Sequence, residues 1–493
     1  MKAPYSHSEQ AAGTQESLPS IAQCLTSGGD ARIALDAVSG LNLYGCRPFP
    51  DPDMLAYGSS TASIISMAGY HCANRLRKRL LAAVSTASHS AVYDREIGRI
   101  RAELLQLCEL PDATGMIFSP SGTDIHTIAA RYTGRGASLP PRIVMIEANE
   151  TGKGVAAALH YVGSEQPDVV QVPVRLGDGA PRPPTDIDAE VEALVSAALA
   201  SNRRVLLILV DQSKTGLIAP SLGCVMALHN RFQNKIDVLV DACQFRVAPP
   251  TLRAYLKQGF MVALTGSKFL TGPSFSGVLL LPCTLDASLA LENRLLNGIM
   301  TTNVTQIANF GLLLRWEVAL QELRAFRSIP QAAVIGFLQD FSSAIQQRLD
   351  GDTLLEPLPA PRLDRRPLTV ANSWDHLQTI FSFLLYHADA GRTPLSAEET
   401  LHVYRLLSVN LNENNAFNPE HPDAPIAAMR CQIGQPVACG KRNGVAVSAL
   451  RLCISTRLIV KAAVDGDNGV AVIEAALIVL DKTALLIRTL PTT

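Results

Sequence analysis

One stretch decides the fold: Val262-Ala-Leu-Thr-Gly-Ser-Lys268-Phe-Leu-Thr-Gly-Pro273. It begins as an apolar run, typical of a buried strand, and continues as a Thr, Gly and Pro segment around a single lysine. Upstream, a second apolar run over 236–240 leads into Asp241-Ala-Cys-Gln244. Because the carboxyl ends of neighbouring parallel strands meet at one edge of a sheet, we expect Asp241 and Lys268 to face one crevice.

A lysine and a carboxylate in this arrangement suit one cofactor. A partly desolvated lysine amine can form a Schiff base with pyridoxal phosphate, and a carboxylate can hold the nitrogen of its ring. The apolar strand before Lys268 and the Gly-containing turn after it permit that desolvation. A lone lysine after a strand is usually solvated, so the interpretation depends on the rest of the chain.

The bulk composition excludes several classes of protein. The chain has 493 residues, enough for two domains, with 47% hydrophobic and 18% charged residues, as in a globular protein with a large core. Lys and Arg number 43 against 44 Asp and Glu, so no net charge favours nucleic acid or an anionic membrane. The ten cysteines form no CxxC pair or zinc-finger spacing, and no apolar segment resembles a signal peptide or a membrane span. We therefore expect a cytoplasmic protein without a metal site.

An alternation of strands and helices starts near residue 115. Helical patterns separate several of the apolar runs, and the clearest covers 186–200 with Thr185 or Asp186 as its cap. This alternation predicts an α/β fold with a mainly parallel, seven-stranded sheet covered on both faces. The seven predicted strands cover 116–118, 143–146, 169–174, 205–210, 236–240, 261–264 and 278–281.

The pattern changes after about residue 304. Helical runs cover 304–328 and, beyond Pro330, continue to Leu349, and the Pro-rich stretch 356–367 is typical of a surface loop. We expect an N-terminal arm over 1–60, a large domain over 61–325 and a smaller α+β domain over 326–493.

Two further turns are candidates for ligand binding. Phe118-Ser-Pro-Ser-Gly-Thr-Asp-Ile-His126 opens a helix, where free N–H groups and hydroxyls can bind an anion, although such a turn is also an ordinary helix cap. Asp211-Gln-Ser-Lys-Thr-Gly216 follows another strand at the same edge of the sheet, where, taken alone, a purely structural turn is more typical. Asp241 could instead ligate a metal, but no second acidic cluster and no Walker-type loop accompanies it.

Together these features resemble the fold-type I pyridoxal-phosphate enzymes, and within them the class V aminotransferase and cysteine desulfurase group. Asp241-Ala-Cys-Gln244 is similar to that group's Asp-Ala-x-Gln, and Thr265-Gly-Ser-Lys268 to its Ser-x-His-Lys, with Ser267 in place of the histidine. Gln212–Gly216 resembles the turn beside the cofactor ring. Ala449-Leu-Arg-Leu-Cys-Ile-Ser455 resembles the group's Leu-Arg-x-Ser strand. The resemblance covers roughly residues 40–480 and is most specific over 115–282.

The resemblance implies a role for each matching residue. Lys268 would form the Schiff base and move the proton, and Asp241 would pair with the ring nitrogen. Gln244 would donate to the ring hydroxyl oxygen, and Arg451 would hold the substrate carboxylate. The remaining expected cofactor-binding residues are Ser121, Gly122, Thr123, Ser213, Thr265, Ser267 and Thr302, with Thr302 directed at the phosphate of a partner subunit.

Several positions depart from the family pattern or stay open. No aromatic residue or histidine in 147–153 occupies the place of the residue that stacks on the ring, and we expect His126 to be a packed side chain. Arg430-Cys-Gln-Ile-Gly-Gln-Pro436 resembles the mobile loop that carries the desulfurase cysteine, but Ile433 occupies the aligned position. Cys431 and Cys439, which lie nearby, are more typical of small apolar residues.

The resemblance implies a homodimer acting on an amino acid. Tyr44, Arg47 and 59–61 of the arm could reach the site or the partner subunit. We expect an aminotransferase, because the desulfurase cysteine is missing from its aligned position. A cysteine desulfurase or β-eliminating lyase is the alternative, and a non-catalytic scaffold for a phosphate ligand is a remote one. The substrate is not specified by the sequence.

Overall fold

The structure is a computed structural model that describes residues 18–490 except 30, 59–61, 160–167, 284–307, 360–361, 371, 389–390, 414–416 and 418–419. The first half of the chain forms a sheet with helices on both sides. Its strands are β2 (Gly115–Ser119), β3 (Arg142–Ile146), β4 (Asp168–Val172), β5 (Val205–Asp211), β6 (Ile218–Ala219), β7 (Ile236–Asp241), β8 (Met261–Thr265) and β9 (Gly277–Leu281).

The large sheet has the order β2-β9-β8-β7-β5-β3-β4, and the two-residue β6 pairs with β5 outside this path. The strands β8, β7, β5, β3 and β4 pair in parallel, whereas β9 is antiparallel to both of its neighbours. The seven strands of the main path coincide with the seven apolar runs of the sequence, so the predicted mainly parallel seven-stranded sheet is confirmed. The central strands are buried on both faces, as a sheet covered by helices requires.

The helices of this half lie before and between the strands in sequence. They are α1 (Ile21–Leu25), α2 (Met67–Val84), α3 (His89–Leu107), α4 (Gly122–Thr133), α5 (Lys153–Leu159), α6 (Pro184–Ala200), α7 (Leu222–Arg231) and α8 (Pro249–Lys257). The predicted cap of the 186–200 helix is wrong: α6 begins at Pro184, and Pro183 precedes it without a side-chain cap. Proline suits the first turn, because its missing N–H would have no partner there.

The second half begins with two long helices, α9 (Phe310–Arg327) and α10 (Gln331–Asp350), which match the predicted helical runs on either side of Pro330. The start of the first predicted run, before residue 308, lies outside the described residues. The helices α11 (Ala397–Leu407), α12 (Ala424–Ala428), α13 (Thr456–Val464) and α14 (Val470–Arg488) follow. Short 3₁₀ turns cover Ala31–Ile33 and Trp374–His376.

A second sheet, of five strands, combines both ends of the chain. Its order is β1-β12-β13-β11-β10, with β1 (Met54–Tyr57), β10 (Leu355–Pro357), β11 (Ile380–Leu385), β12 (Arg430–Arg442) and β13 (Val445–Cys453). The arm strand β1 pairs in parallel with β12, and the other pairs are antiparallel. The predicted arm, which ends at residue 60, contains β1. In the structure, β1 nevertheless pairs with β12 and is part of the second sheet.

Two predictions for the second half are wrong. The Pro-rich stretch 356–367 is not a surface loop, because β10 includes its first two residues and Leu358, Leu363 and Arg365 are buried. The segment 430–436 is not a loop, because it starts β12 and its backbone pairs with β1 on one side. None of the helices in the described part of the chain combines the length and apolarity that a membrane crossing needs.

Candidate active site

Three adjacent parallel strands end at the candidate site. In the sheet, β8, β7 and β5 are neighbours, and their last residues are Thr265, Asp241 and Asp211. Parallel strands carry the segments that follow them to the same edge. The lysine segment, the Asp241–Gln244 turn and the turn after β5 therefore meet at one edge, as the sequence predicted.

Asp241 is buried and makes an ion pair with His126 of α4. The Asp241 Oδ2 lies 3.1 Å from Nε2 of His126, and Oδ1 accepts from the backbone N–H of Cys243 at 3.1 Å. The other ring nitrogen, Nδ1, lies 2.8 Å from the carbonyl oxygen of Gly122. Carbonyl and carboxylate oxygens only accept hydrogen bonds, so both ring nitrogens must donate, and His126 is an imidazolium ion in this arrangement.

Electrostatics keep the pair charged although it is buried. Burial raises the pKa of Asp241, but the charges of His126 and Lys268 and two hydrogen bonds outweigh burial and hold that pKa well below its usual range. Burial lowers the pKa of His126, and the facing Asp241 more than offsets this, so the pKa of His126 is raised. Lys268, which is half-buried, is close enough for its charge to act on both groups.

The turn Ser121–Thr123 precedes and opens α4. Ser121 caps the helix: its Oγ accepts from the N–H of Asp124 at 3.3 Å and donates to the carboxylate of Asp124 at 2.8 Å. Gly122 fits closely, since a Cβ there would lie 3.0 Å from Cγ2 of Thr265 and 3.1 Å from Sγ of Cys243. Glycine at this position lets the start of α4 approach the ends of β7 and β8.

Two residues beside the lysine, Thr265 and Ser267, make hydrogen bonds that connect the lysine segment to other parts of the chain. The Oγ1 of Thr265 donates to the carbonyl oxygen of Cys243 at 2.6 Å, which links the segments after β7 and β8. The carbonyl oxygen of Ser267 accepts from Oγ of Ser63 at 2.8 Å, so the chain just after the arm supports the lysine segment. Both Thr265 and Ser267 are buried.

The turn after β5 is held by a buried carboxylate. Glu150 accepts from Oγ of Ser213 at 2.7 Å and from Oγ1 of Thr215, and it pairs with Arg175 at 3.0 Å. The Oγ of Ser213 also accepts from the N–H of Leu217 at 3.1 Å. The hydroxyl of Ser213 is therefore engaged in shaping the turn.

Several buried polar atoms at this edge have no hydrogen-bond partner within the described chain. They are both amide atoms of Gln212, Oε1 of Gln244 and Oγ1 of Thr151. All three residues are at least nine-tenths buried, and they follow β5, β7 and β3. A buried polar group without a partner costs free energy, so an edge with several such groups is suited to a polar ligand.

Arg451 approaches this edge from the second sheet. Its Nε and Nη2 donate to the carbonyl oxygen of Gln435 at 3.1 and 2.8 Å, and its Nη1 donates to the carbonyl oxygen of Lys214 at 3.4 Å. The side chain is buried, and no carboxylate of the described residues pairs with it. A buried guanidinium held only by carbonyls leaves its positive charge available to an anion.

The sequence matches no protein-family model and no curated protein. The structure, by contrast, is similar to solved structures. Tryptophan decarboxylase from Catharanthus roseus superposes with a TM-score of 0.53 and 15% identity over 92% of this chain and 86% of that one. A NifS-like protein gives 0.52 and 14% over 88% and 99%. The glutamate decarboxylase domain of a diaminobutyrate-pyruvate transaminase and L-2,4-diaminobutyrate decarboxylase from Vibrio parahaemolyticus gives 0.51 and 14% over 89% and 81%.

The chain has the fold of the fold-type I pyridoxal-phosphate enzymes. Within the fold-type I architecture, the structure brings most predicted site residues to one edge: Lys268, Asp241, Gln244, Thr265, Ser267 and the turn before α4. Arg451 reaches the same edge through its contact with Lys214, whereas the hydroxyl of Ser213 is directed to Glu150. Thr302 and the arm residues 59–61 lie outside the described residues.

Sequence reasoning missed two features of the candidate site. His126 is packed, as expected, but its imidazole also contacts Asp241. The only signal for this contact in the sequence is the position of His126 one turn into α4. The sequence favours Ser213, but the buried amide atoms without a partner belong to its neighbour Gln212, and the sequence cannot show which of two adjacent polar side chains is already engaged. The site is also not rich in metal ligands, since no group of three His, Cys, Asp or Glu in the described residues could hold an ion.

The His126–Asp241 pair predicts a pH-dependent stability. The raised pKa of His126 stabilises the fold fully below about pH 6.5 and ceases to do so as the pH rises through the folded value, whereas the lowered pKa of Asp241 contributes above about pH 3.8. His126→Gln should therefore destabilise the protein most between pH 4 and 6.5. The measurement is urea unfolding of both proteins at pH 5.5 and 8.5. The difference between the two proteins should be smaller at pH 8.5 than at pH 5.5, and a constant difference would contradict the charged pair.

Proposed function

We propose that the chain is a pyridoxal-phosphate-dependent enzyme that acts on an amino acid, with transamination as its reaction. The observation that carries the proposal is the group of Lys268, Asp241 and His126, in which a buried carboxylate is kept ionised beside an amine. A buried carboxylate that stays ionised is suited to pair with a positively charged ring nitrogen, and groups with strongly shifted pKa values often mark functional sites.

The residues at the edge fit this cofactor. Lys268 offers the amine for a covalent link to its aldehyde, and Asp241 a carboxylate for its ring nitrogen. Gln212 and Gln244 offer the buried amide atoms that lack partners, and the start of α4 offers N–H groups for its phosphate. When bound, pyridoxal phosphate draws electrons from the α-carbon of the amino acid and so weakens the bonds at that carbon.

The chain's own residues then have distinct tasks. The Lys268 Nζ takes the α-proton and returns it, acting as general base and general acid. Asp241 stays ionised because His126 donates to it, which favours a protonated ring nitrogen. Thr265, Ser267 and the turn Ser121–Thr123 hold the phosphate side, where Ser121 also fixes the direction of α4.

Arg451 supports an outcome in which the substrate keeps its carboxylate. A guanidinium that binds a carboxylate through two parallel hydrogen bonds stabilises its charge and fixes its orientation. The α-proton, rather than carbon dioxide, is then the group released toward Lys268. Lys268 would then return that proton, water would release the keto acid, and the amino group would pass to the bound cofactor and from there to a keto-acid acceptor.

The position of Arg451 provides a test of this role. A Cβ on Gly434 would lie 3.0 Å from Cβ, Nε and Cζ of Arg451, so Gly434→Ala should push the guanidinium away from its present place. We expect KM for the amino acid to rise by about tenfold or more, with cofactor binding unchanged. Steady-state kinetics and a cofactor titration measure the two effects. Gly336→Ala, at a glycine with open space around it, is the control, and an unchanged KM would contradict the role of Arg451.

The desulfurase alternative has weaker support. Burial raises the pKa of the Cys431 thiol to about 11 and also raises the pKa of Cys439, whereas a nucleophilic cysteine needs a lowered pKa and exposure. Both residues lie in β12 and are about 1% exposed. The remote alternative is a scaffold that binds another phosphate ligand. Binding a phosphate does not require an ionised Asp241 beside Lys268, so this alternative does not explain that pair.

One assay separates these reactions. The protein with added pyridoxal phosphate is incubated with each amino acid and a keto-acid acceptor, and keto acid, carbon dioxide and sulfide are measured together. We expect keto acid to form only when the acceptor is present. Carbon dioxide release would indicate a decarboxylase, as named among the structural relatives, and sulfide would indicate a desulfurase; either would overturn the aminotransferase. A protein that gains no cofactor absorbance would overturn the enzyme altogether.

We also propose that the chain forms a homodimer. The support is a series of exposed apolar side chains in and beside the arm, namely Val38, Leu43, Phe49 and Met67, each at least 48% exposed. Apolar side chains that are concentrated in one region of a surface often mark an interface. Light scattering after size-exclusion chromatography should give about twice the 52.8 kDa of one chain; a monomeric mass at micromolar concentration would contradict the proposal.

A further inference from the structure

The segment that carries Lys268 closes on itself through backbone hydrogen bonds. The N–H of Thr271 donates to the carbonyl oxygen of Lys268 at 3.0 Å, and the N–H of Gly272 donates to that of Gly266 at 2.9 Å. The N–H of Gly266 in turn donates to the carbonyl oxygen of Ser276 at 2.9 Å, which joins the two ends of the segment. The place of Lys268 therefore depends on the backbone just before β9.

Two residues of this segment adopt a backbone conformation that their side chains disfavour. Thr271 has a φ of 54° and Phe275 a φ of 70°, in the left-handed region that suits glycine. A β-branched or bulky aromatic residue is rarely found there, because its Cβ crowds the neighbouring carbonyl oxygen. Contacts from outside the segment must therefore hold it in this conformation.

One side chain of α9, Arg315, holds the carbonyl group of Phe275. The Nε of Arg315 donates to the Phe275 carbonyl oxygen at 2.8 Å, while Nη1 donates to that of Ser27 at 2.6 Å and Nη2 to that of Gly28 at 3.0 Å. Arg315 is fully buried, and within the described chain its guanidinium donates only to backbone carbonyl oxygens. This side chain thus connects the lysine segment to the chain that follows α1.

The same helix supports the lysine segment one turn further along. A Cβ on Gly266 would lie 2.5 Å from Cβ of Ala319, and a Cβ on Gly272 would lie 3.1 Å from it. Ala319 follows Arg315 by four residues, so both side chains lie on one face of α9. That face therefore contacts the segment before Lys268, at Gly266, and after it, at Phe275.

We propose that Arg315 is a positioning residue for Lys268. By holding the carbonyl oxygen of Phe275, it keeps the backbone before β9 in a conformation in which Ser276 accepts from Gly266, two residues before the lysine. None of its hydrogen bonds reaches Lys268 or Asp241, so it acts through the backbone and is not a catalytic residue. The inference rests on the proposed role of Lys268 in holding pyridoxal phosphate.

Arg315→Lys tests this role and keeps the positive charge. The lysine side chain has a methylene group where Nε now donates, and its amine stays near the carbonyl oxygens of Ser27 and Gly28. After mixing of the cofactor-free protein with pyridoxal phosphate, we expect the absorbance band of the lysine-bound cofactor to form about tenfold more slowly. The kcat for the amino acid should fall by a similar factor with KM within about twofold, because a small displacement of the reacting group slows the reaction.

The matched control is Arg324→Lys. It makes the same chemical change further along α9, where Nε of Arg324 donates to Glu103 of α3 instead of the lysine segment. We expect the rate of band formation, kcat and KM to stay unchanged in this variant.

A second substitution shows whether Arg315 acts through the backbone of Phe275. Glycine adopts a positive φ without a steric penalty, so in a Phe275→Gly background Arg315→Lys should slow band formation by no more than about twofold. Amide hydrogen exchange over 266–276, measured without cofactor, should be faster in Arg315→Lys than in the wild type. The difference should be much smaller between the Phe275→Gly protein and the double variant.

The outcomes separate this inference from the proposed function. A wild type that forms no band with pyridoxal phosphate would overturn the proposed function, and with it any catalytic effect of Arg315. If the wild type forms the band and Arg315→Lys forms it at the same rate, only the positioning role is wrong. An equal effect in both backgrounds, a rise in KM as large as the fall in kcat, or a failure to fold that Phe275→Gly does not correct would also overturn that role, since the essential contacts of Arg315 would then lie elsewhere.

Discussion

Lys268→Ala should lower the turnover of an amino-acid substrate by about 10²–10⁴-fold, the range that a positioned proton-transfer group contributes. The amine is the group we assign both to hold the cofactor and to move the α-proton, so no neighbouring side chain can replace it. The variant should also lose the absorbance band of lysine-bound pyridoxal phosphate. Stopped assays of product and absorbance spectra of the purified protein measure the two effects independently.

The matched control is Lys257→Ala, since Lys257 is an exposed lysine at the end of α8 in the same part of the chain. It should leave turnover and the absorbance band unchanged. If Lys268→Ala retained both, the amine would not hold the cofactor, and the assignment of the edge as an active site would fail.

The second large effect concerns an ion pair at the end of β5, beside the candidate site. Arg365 and Asp211 are both fully buried, with Nη2 to Oδ1 at 2.6 Å and Nε to Oδ2 at 2.8 Å, and Tyr255 donates to Oδ2 at 2.7 Å. Arg365→Met leaves the carboxylate buried without its counter-ion. We expect it to lower the free energy of unfolding by about 3–5 kcal/mol, measured by urea denaturation.

Two comparisons make this expectation specific. Arg366→Ala removes the neighbouring exposed pair with Asp364 and should cost no more than about 1 kcal/mol. Asp211→Leu combined with Arg365→Met should recover part of the lost free energy of unfolding, because replacing both partners by apolar side chains leaves no unpaired charge buried. A single variant as stable as the wild type would show that the carboxylate finds water or another partner.

The sequence predicts features that depend on neighbouring residues well, and it does not predict contacts between residues that are far apart in the chain. The seven strands and the lysine segment follow from local patterns of apolar residues and turn formers, and these predictions are confirmed. The partners of Asp241 and Asp211 are 115 and 154 residues away in the chain, and no local pattern marks such a pair. The prolines near Arg365 predict a surface loop, but Arg365 is buried because it pairs with the fully buried carboxylate of Asp211.

The candidate site shows the same division. The order of Ser121–Thr123, Asp241, Gln244, Lys268 and Arg451 could be predicted. The first four end or follow a strand or open a helix, and Arg451 lies in a strand whose sequence resembles the family pattern. The unpartnered amide of Gln212 and the engagement of Ser213 by Glu150 could not, since both depend on contacts between residues far apart in the chain. The prediction of a mobile loop over 430–436 is wrong because this segment pairs with β1, which is far away in the chain, and is therefore an extended strand.

The pairing of β1 with β12 has a consequence for how the protein is made. Met54 lies opposite Arg430, so about 375 further residues are synthesised after β1 before its partner strand exists. At typical elongation rates of about 5–20 residues per second, that delay is about 20–75 s, during which an apolar strand has no partner. If the arm were cleaved or displaced, β12 would become an open edge of the second sheet, and such edges template aggregation. Integrity of the arm is thus a condition for solubility of the far end of the chain.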